Sequence, residues 1–146
     1  MPCRRQFLEG VTWAALGVTV PRGIALAALT DPDARAIQKV IRDQMAAFAR
    51  DDADAAFSFA TPAARKRFGN AGRFLESVKS AYQPVYRPGD VVFLAIERTN
   101  ASVIQPVQIG MPDGKVYIAY YEMQRQDNKV WKINGCELSL TNSVST

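Results

Sequence analysis

The hydrophobic rhythm of this chain changes once, between Gln83 and Asp90, and that change limits the fold more than any motif does. Before it, apolar residues recur every three or four positions, as on a helix with one buried stripe. After it they tend to alternate, as on half-buried strands. Helices first, then an antiparallel sheet, is an α+β arrangement in which the helices cover one face of the sheet.

The helical half is well punctuated. In "LTDPDARAIQKVIRDQMAAFARDD", Asp31 offers a cap and Pro32 sits in the first turn, where its missing N–H costs nothing. Ile37, Val40, Ile41, Gln44, Met45 and Phe48 form the buried stripe of a helix about four turns long. Asp52 caps a short helix carrying Phe57 and Phe59, Thr61-Pro62 repeats the start signal, and Gly69-Asn70 gives a stop. A further helix over "AGRFLESVKSAY" presents Phe74, Leu75, Val78 and Tyr82 on one side. Pro84 and Pro88 then predict a non-helical connector.

Four strands are expected: "VVFLAIER", "ASVIQPVQIG", "KVYIAYYEMQR" and "KVWKINGCELSL". Asp113-Gly114 is a hairpin signal, "QDN" makes a second tight connection, and the simplest outcome is a four-stranded meander. Pro106 places its strand at an edge or in a bulge. In the last strand Trp131 and Ile133 share one parity, while Cys136, Leu138 and Leu140 share the other. One extra residue at Asn134-Gly135 returns them all to one face, so a β-bulge that bends the sheet is predicted there.

The N-terminus reads as an export signal. Arg4 and Arg5 precede the uncharged run "VTWAALGVTV", and Ala25-Leu26-Ala27 has the small residues of a cleavage site. The run is shorter than the roughly 20 residues a membrane helix needs, so no stable membrane insertion is expected. "RRQFL", with Arg4, Arg5, Phe7 and Leu8, resembles the twin-arginine type of signal, with Cys3 and Glu9 departing from the usual pattern. That resemblance implies engagement of the export machinery by an already folded chain. Residues 1–27 are read as the signal peptide and 28–146 as a single domain working in the periplasm or outside the cell.

Composition narrows the chemistry. The chain has a net charge of +4, part of which the leader holds in Arg4, Arg5 and Arg22. The near-neutral remainder gives no reason to expect nucleic acid. The basic run Arg65-Lys66-Arg67 falls where a short helix ends, a favourable place for cations in the helix dipole. Histidine is absent, and Cys136 is the one cysteine after the leader. Histidine-based triads and Cys/His zinc sites are therefore excluded, and no cofactor is expected.

The order of elements resembles the cone-shaped fold of the nuclear-transport-factor-two family, also called cystatin-like. More narrowly, "AYQPVYRP" together with "YYEMQRQDNKVWKINGCEL" resembles a family of small bacterial proteins whose domain has no assigned function. The resemblance covers roughly Asp33 to Leu140. It implies a fold with a conical pocket and carries no activity with it.

Site residues must be argued singly. Tyr117 and Tyr121 share a strand face with Met123, and Tyr120 and Glu122 share the other. A tyrosine beside a carboxylate such as Glu122 or Glu137 would suit a cofactor-free lyase or isomerase. The competing reading makes these tyrosines ordinary sheet packing, apolar bodies inward and hydroxyls at the rim. Cys136 is a thiol nucleophile or an interchain disulfide on one reading and a packed core thiol on the other. Tyr82, Tyr86 and Arg87 form either a pocket lip or a stiff connector, and Trp131 is a further pocket candidate.

The reading preferred is a non-enzymatic domain that binds a small apolar or amphipathic ligand, or a protein partner. The isomerase is the alternative, and a homodimer formed through the outer sheet face is the third. An open cavity of about 300 Å³ holding a carboxylate would favour the ligand and enzyme readings.

Overall fold

The computed structural model describes residues 31–100 and 102–141. The signal-peptide and cleavage-site assignments, at Arg4, Arg5, Phe7, Leu8, Ala25 and Ala27, lie outside the described residues. The chain divides between Arg35 and Ala36 into two units, and the second is described by itself.

Among the described residues five helices come first: α1 (Asp31–Ala49), α2 (Ala53–Ser58), α3 (Pro62–Phe68), α4 (Ala71–Ala81) and the short α5 (Gln83–Tyr86). Side chains start three of them. Asp52, Thr61 and Asn70 accept hydrogen bonds from the amides of Ala55, Ala64 and Arg73. Gly69 ends α3 at a φ of 92°, a left-handed backbone that glycine adopts without strain. Helix α1 runs about a turn further than its stripe suggests, and Ile37, Ile41, Gln44, Met45 and Phe48 are buried along it. Helix α5 corrects the reading of Pro84 as a helix breaker. A proline in the first turn loses no hydrogen bond, and Pro84 stands there, buried beside Val85.

The sheet is antiparallel throughout, with β1 (Asp90–Phe93), β2 (Glu97–Arg98), β3 (Val103–Gly110), β4 (Val116–Arg125) and β5 (Trp131–Leu140). Strand β3 lies between β4 and a broken margin formed by β1 and β2, and β5 is the other margin. The expected strand 91–98 is therefore two pieces, and the reason is Pro106. Phe93 pairs with Val107 and Glu97 with Ile104, so three residues, Leu94 to Ile96, stand opposite two. Pro106 has no N–H to give Leu94. The amide of Gln105 takes its place, donating to the Leu94 carbonyl at 2.7 Å. The irregularity expected of Pro106 is thus found, but in the partner strand rather than at an edge position of its own.

The bulge predicted in β5 is present. Glu122 pairs with Gly135 and Met123 with Ile133, which leaves Asn134 as the extra residue. One face consequently carries Trp131, Ile133, Cys136 and Leu138 beside Tyr117, Ala119, Tyr121 and Met123. The α2–α3 connector clips this strand at the same place. Ile133 donates to the Phe59 carbonyl and Thr61 donates to the Ile133 carbonyl, at 2.8 and 2.9 Å. Thr61 Oγ1 donates to Asn134 Oδ1 at 2.8 Å.

At the start of the sheet, a Cβ on Gly89 would lie 2.2 Å from the Gly110 carbonyl oxygen. Backbone cannot yield as a flexible side chain does. Gly89→Ala is expected to destabilise the domain by about 1–3 kcal/mol, the range of an overpacked interior, with a lower denaturant midpoint as the readout.

Candidate functional site

A cavity of about 230 Å³ lies between the helices and the inner face of the sheet. Its apolar wall is built by Phe48 of α1, Phe68 of α3, and Phe74 and Val78 of α4. The rings are mutually braced: Phe74 lies 5.8 Å from Phe48 and 5.0 Å from Phe68, centroid to centroid. Ala60 and Ala64 leave the space, because short side chains stand where the connector and α3 approach β5. The sheet contributes Tyr121, Ile133 and the bulge residues Asn134, Gly135 and Cys136.

The polar groups in the lining are almost all engaged. Gln44 Nε2 donates to the Ala56 carbonyl at 3.1 Å. Arg67, exposed at the mouth, donates to the Asn134 carbonyl at 2.7 Å. The Tyr121 hydroxyl is the exception. Tyr121 is 1% exposed, and its oxygen, itself buried, has no hydrogen-bond partner among the described residues. Burial, with a smaller contribution from Cys136, pushes this phenol well above its ordinary range, so it stays a neutral donor. Burial, with Glu137 adding to it, likewise pushes the Cys136 thiol up to about 12, which leaves little reactive thiolate at neutral pH. Among the described residues no carboxylate lines the cavity, and no group of three His, Cys, Asp or Glu could hold a metal ion.

The family model described as "Domain of unknown function (DUF4864)" matches residues 30–146. The chain belongs to the DUF4864 family. No curated protein and no solved structure matches it. Membership takes in every described residue and brings no chemistry with it, so the site of this DUF4864 domain rests on its geometry.

That geometry sorts the residues singled out in the sequence. Tyr82, Tyr121 and Cys136 come together around the cavity. Tyr86 and Arg87 border a separate shallow groove beside Arg42 and Val91. There Tyr86 donates its hydroxyl to Asp51, and this bond, followed by the charge of Arg87, holds the Asp51 carboxyl below its usual range. Arg87 stacks over the Tyr86 ring at 4.0 Å and donates to the Phe48 carbonyl, which ties the end of α1 to the connector. Tyr117 is on the inner face, paired with Ile109 and Leu140 and away from the cavity. Trp131 is buried near the Arg125 guanidinium. Glu122 faces the other way, where it accepts from Ser102 Oγ at 3.1 Å.

Sequence reasoning missed the small residues that shape the cavity, Ala60 and Ala64, and the polar Asn134. Small residues in the short-helix segment, Ala60 in its connector and Ala64 on α3, were the available signal. It also missed Glu97, which shares a sheet row with Ile104 and Glu122. One Glu97 oxygen is buried without a partner, and desolvation raises the carboxyl from 4.5 to about 7. Below the lower value it is protonated in folded and unfolded chains alike. Above it the unfolded chain ionises first, so stability falls as pH rises toward 7. Glu97→Gln is expected to raise the melting temperature at pH 8 and not at pH 4. The gain is ~1 kcal/mol, held down because the group is partly open to water. Equal effects at both pH values would count against this account.

Proposed function

We propose that this DUF4864 chain is exported by the twin-arginine route, loses residues 1–27, and serves outside the cytoplasm as a non-enzymatic binding domain. On this reading its fold is of the nuclear-transport-factor-two type, and the helix–sheet cavity holds a small apolar or amphipathic molecule. Support for that fold comes from the helices-then-sheet order and the Asn134 bulge. Support for export comes from "RRQFL" and the Ala25-Leu26-Ala27 site.

The observation that carries the binding function is the cavity of about 230 Å³ walled by Phe48, Phe68 and Phe74 between the helices and the sheet. The cavity falls short of the expected 300 Å³ and lacks a carboxylate, and Tyr121 and Glu122 point to opposite faces. Measured against that expectation both readings lose ground, and the isomerase loses more, since its chemistry needs an acid or base in register with the tyrosine.

Native mass spectrometry of the exported protein tests both parts. The expected species begins at Ala28 and carries a small noncovalent mass, which Ala64→Leu removes by occupying the space. Replacing Arg4 and Arg5 by lysine is expected to leave uncleaved chain in the cytoplasm. A monomer with no added mass would overturn the binding reading, and a dimer without one would move the function to the outer sheet face.

A further inference from the structure

We infer that the cavity binds an acidic amphipath, its apolar body inside and its anionic head at the mouth, on Arg67. This rests on the cavity being the binding site and goes on to the chemical class of what it binds. The size follows from volume: apolar cavities of about 150 Å³ hold benzene, so about 230 Å³ takes a body of about nine carbons. Phe48, Phe68 and Phe74 give that body an aromatic wall.

The mouth decides the head. Arg67 and Phe68 line both the cavity and a surface groove that Asn70, Arg73 and Glu76 continue. A molecule with more length than the cavity holds therefore emerges along this groove. Arg67 donates to the Asn134 carbonyl at 2.7 Å, a bond that uses one of the five N–H donors a guanidinium carries. Arg73 reaches back over Gly69, with a guanidinium nitrogen 3.5 Å from the place a Cβ would take there. That brings a second positive charge to the end of α3. Neither arginine forms an ion pair with a described residue. Glu76, the one carboxylate among the described residues of the groove, is mostly exposed and lies 4.0 Å from Lys79. The groove is therefore positive where it meets the cavity. An anion held there keeps much of its water, so attraction is gained without the cost of burying a charge.

Three compounds with one nine-carbon body and different heads separate the possibilities: 3-phenylpropanoate, 3-phenylpropan-1-ol and 3-phenylpropylammonium. Binding to the full chain at neutral pH is measured by calorimetry or ligand-observed NMR. The carboxylate is expected to bind about 3- to 10-fold more tightly than the alcohol, the worth of a charge-assisted contact open to water. The ammonium is expected to bind weakest. In Arg67→Gln the preference for the carboxylate disappears while the alcohol binds as before. Salt gives a second readout that needs no variant: raising it narrows the gap between carboxylate and alcohol, because the contact is screened.

Equal affinities for the three heads, with Ala64→Leu still blocking them, overturn this inference and leave the cavity as a general apolar site. Tightest binding by the ammonium overturns it as well. A carboxylate preference that survives both Arg67→Gln and added salt overturns the place given to the head. Binding of none of the three, or binding unaffected by Ala64→Leu, removes the cavity itself as the binding site.

Discussion

Deleting Asn134 is expected to abolish cooperative folding, whereas Asn134→Ala costs only about 1 kcal/mol through the lost Thr61 hydrogen bond. The difference lies in phase. Without the extra residue, β5 can keep only one of its two apolar sets on the helix side. If Cys136 and Leu138 stay inward, Trp131 and Ile133 turn out, and each loses about 1.5–3 kcal/mol of burial. If the first pair stays, the cavity wall at Cys136 is lost instead. Either outcome removes a large share of the ~5–15 kcal/mol that holds a domain together. Circular dichroism during denaturation is the measurement. A deletion variant with a sharp transition near the parent midpoint would show that the bulge does not set the register.

The second large effect is at Phe48. Its ring is fully buried, touches the ring systems of Phe74 and Tyr86, and forms cavity wall. Phe48→Ala is expected to destabilise the domain by about 3–5 kcal/mol, since the removed ring leaves a void joined to the existing one. The enlarged space has a consequence that a simple loss of packing lacks. α-Methylstyrene should raise the melting temperature of the variant more than that of the parent, because a ligand bound only to the folded state stabilises it. Stabilisation of the parent alone would mean that the site had collapsed rather than widened.

Much of this fold could be read from residues that act locally. The caps at Asp52, Thr61 and Asn70 and the glycine at Gly69 work within one turn of chain, so their signals are complete in the sequence. The bulge was legible for a different reason, because a parity change inside one strand has few other remedies. Pro106 was half legible: the missing N–H is a local fact, but which neighbour absorbs it depends on pairing. Gln105 replacing that donor is a tertiary event. The cavity was the least legible part. Ala60 and Ala64 are unremarkable in sequence, and they matter only because the connector holding Ala60, and leading into the helix of Ala64, is clipped to Ile133. Glu97 was hidden likewise, since desolvation belongs to the assembled surface and not to the residue.

The interruption at Leu94–Ile96 reaches beyond the packing of one side chain. A second polypeptide approaching that border finds two short rungs out of step rather than a continuous row of amides to copy. At Ile133, on the far border, the backbone groups are already occupied by Phe59 and Thr61. The two rims therefore differ in kind: one is interrupted by its own pairing, and the other is fastened at Ile133 to the helical half of the chain.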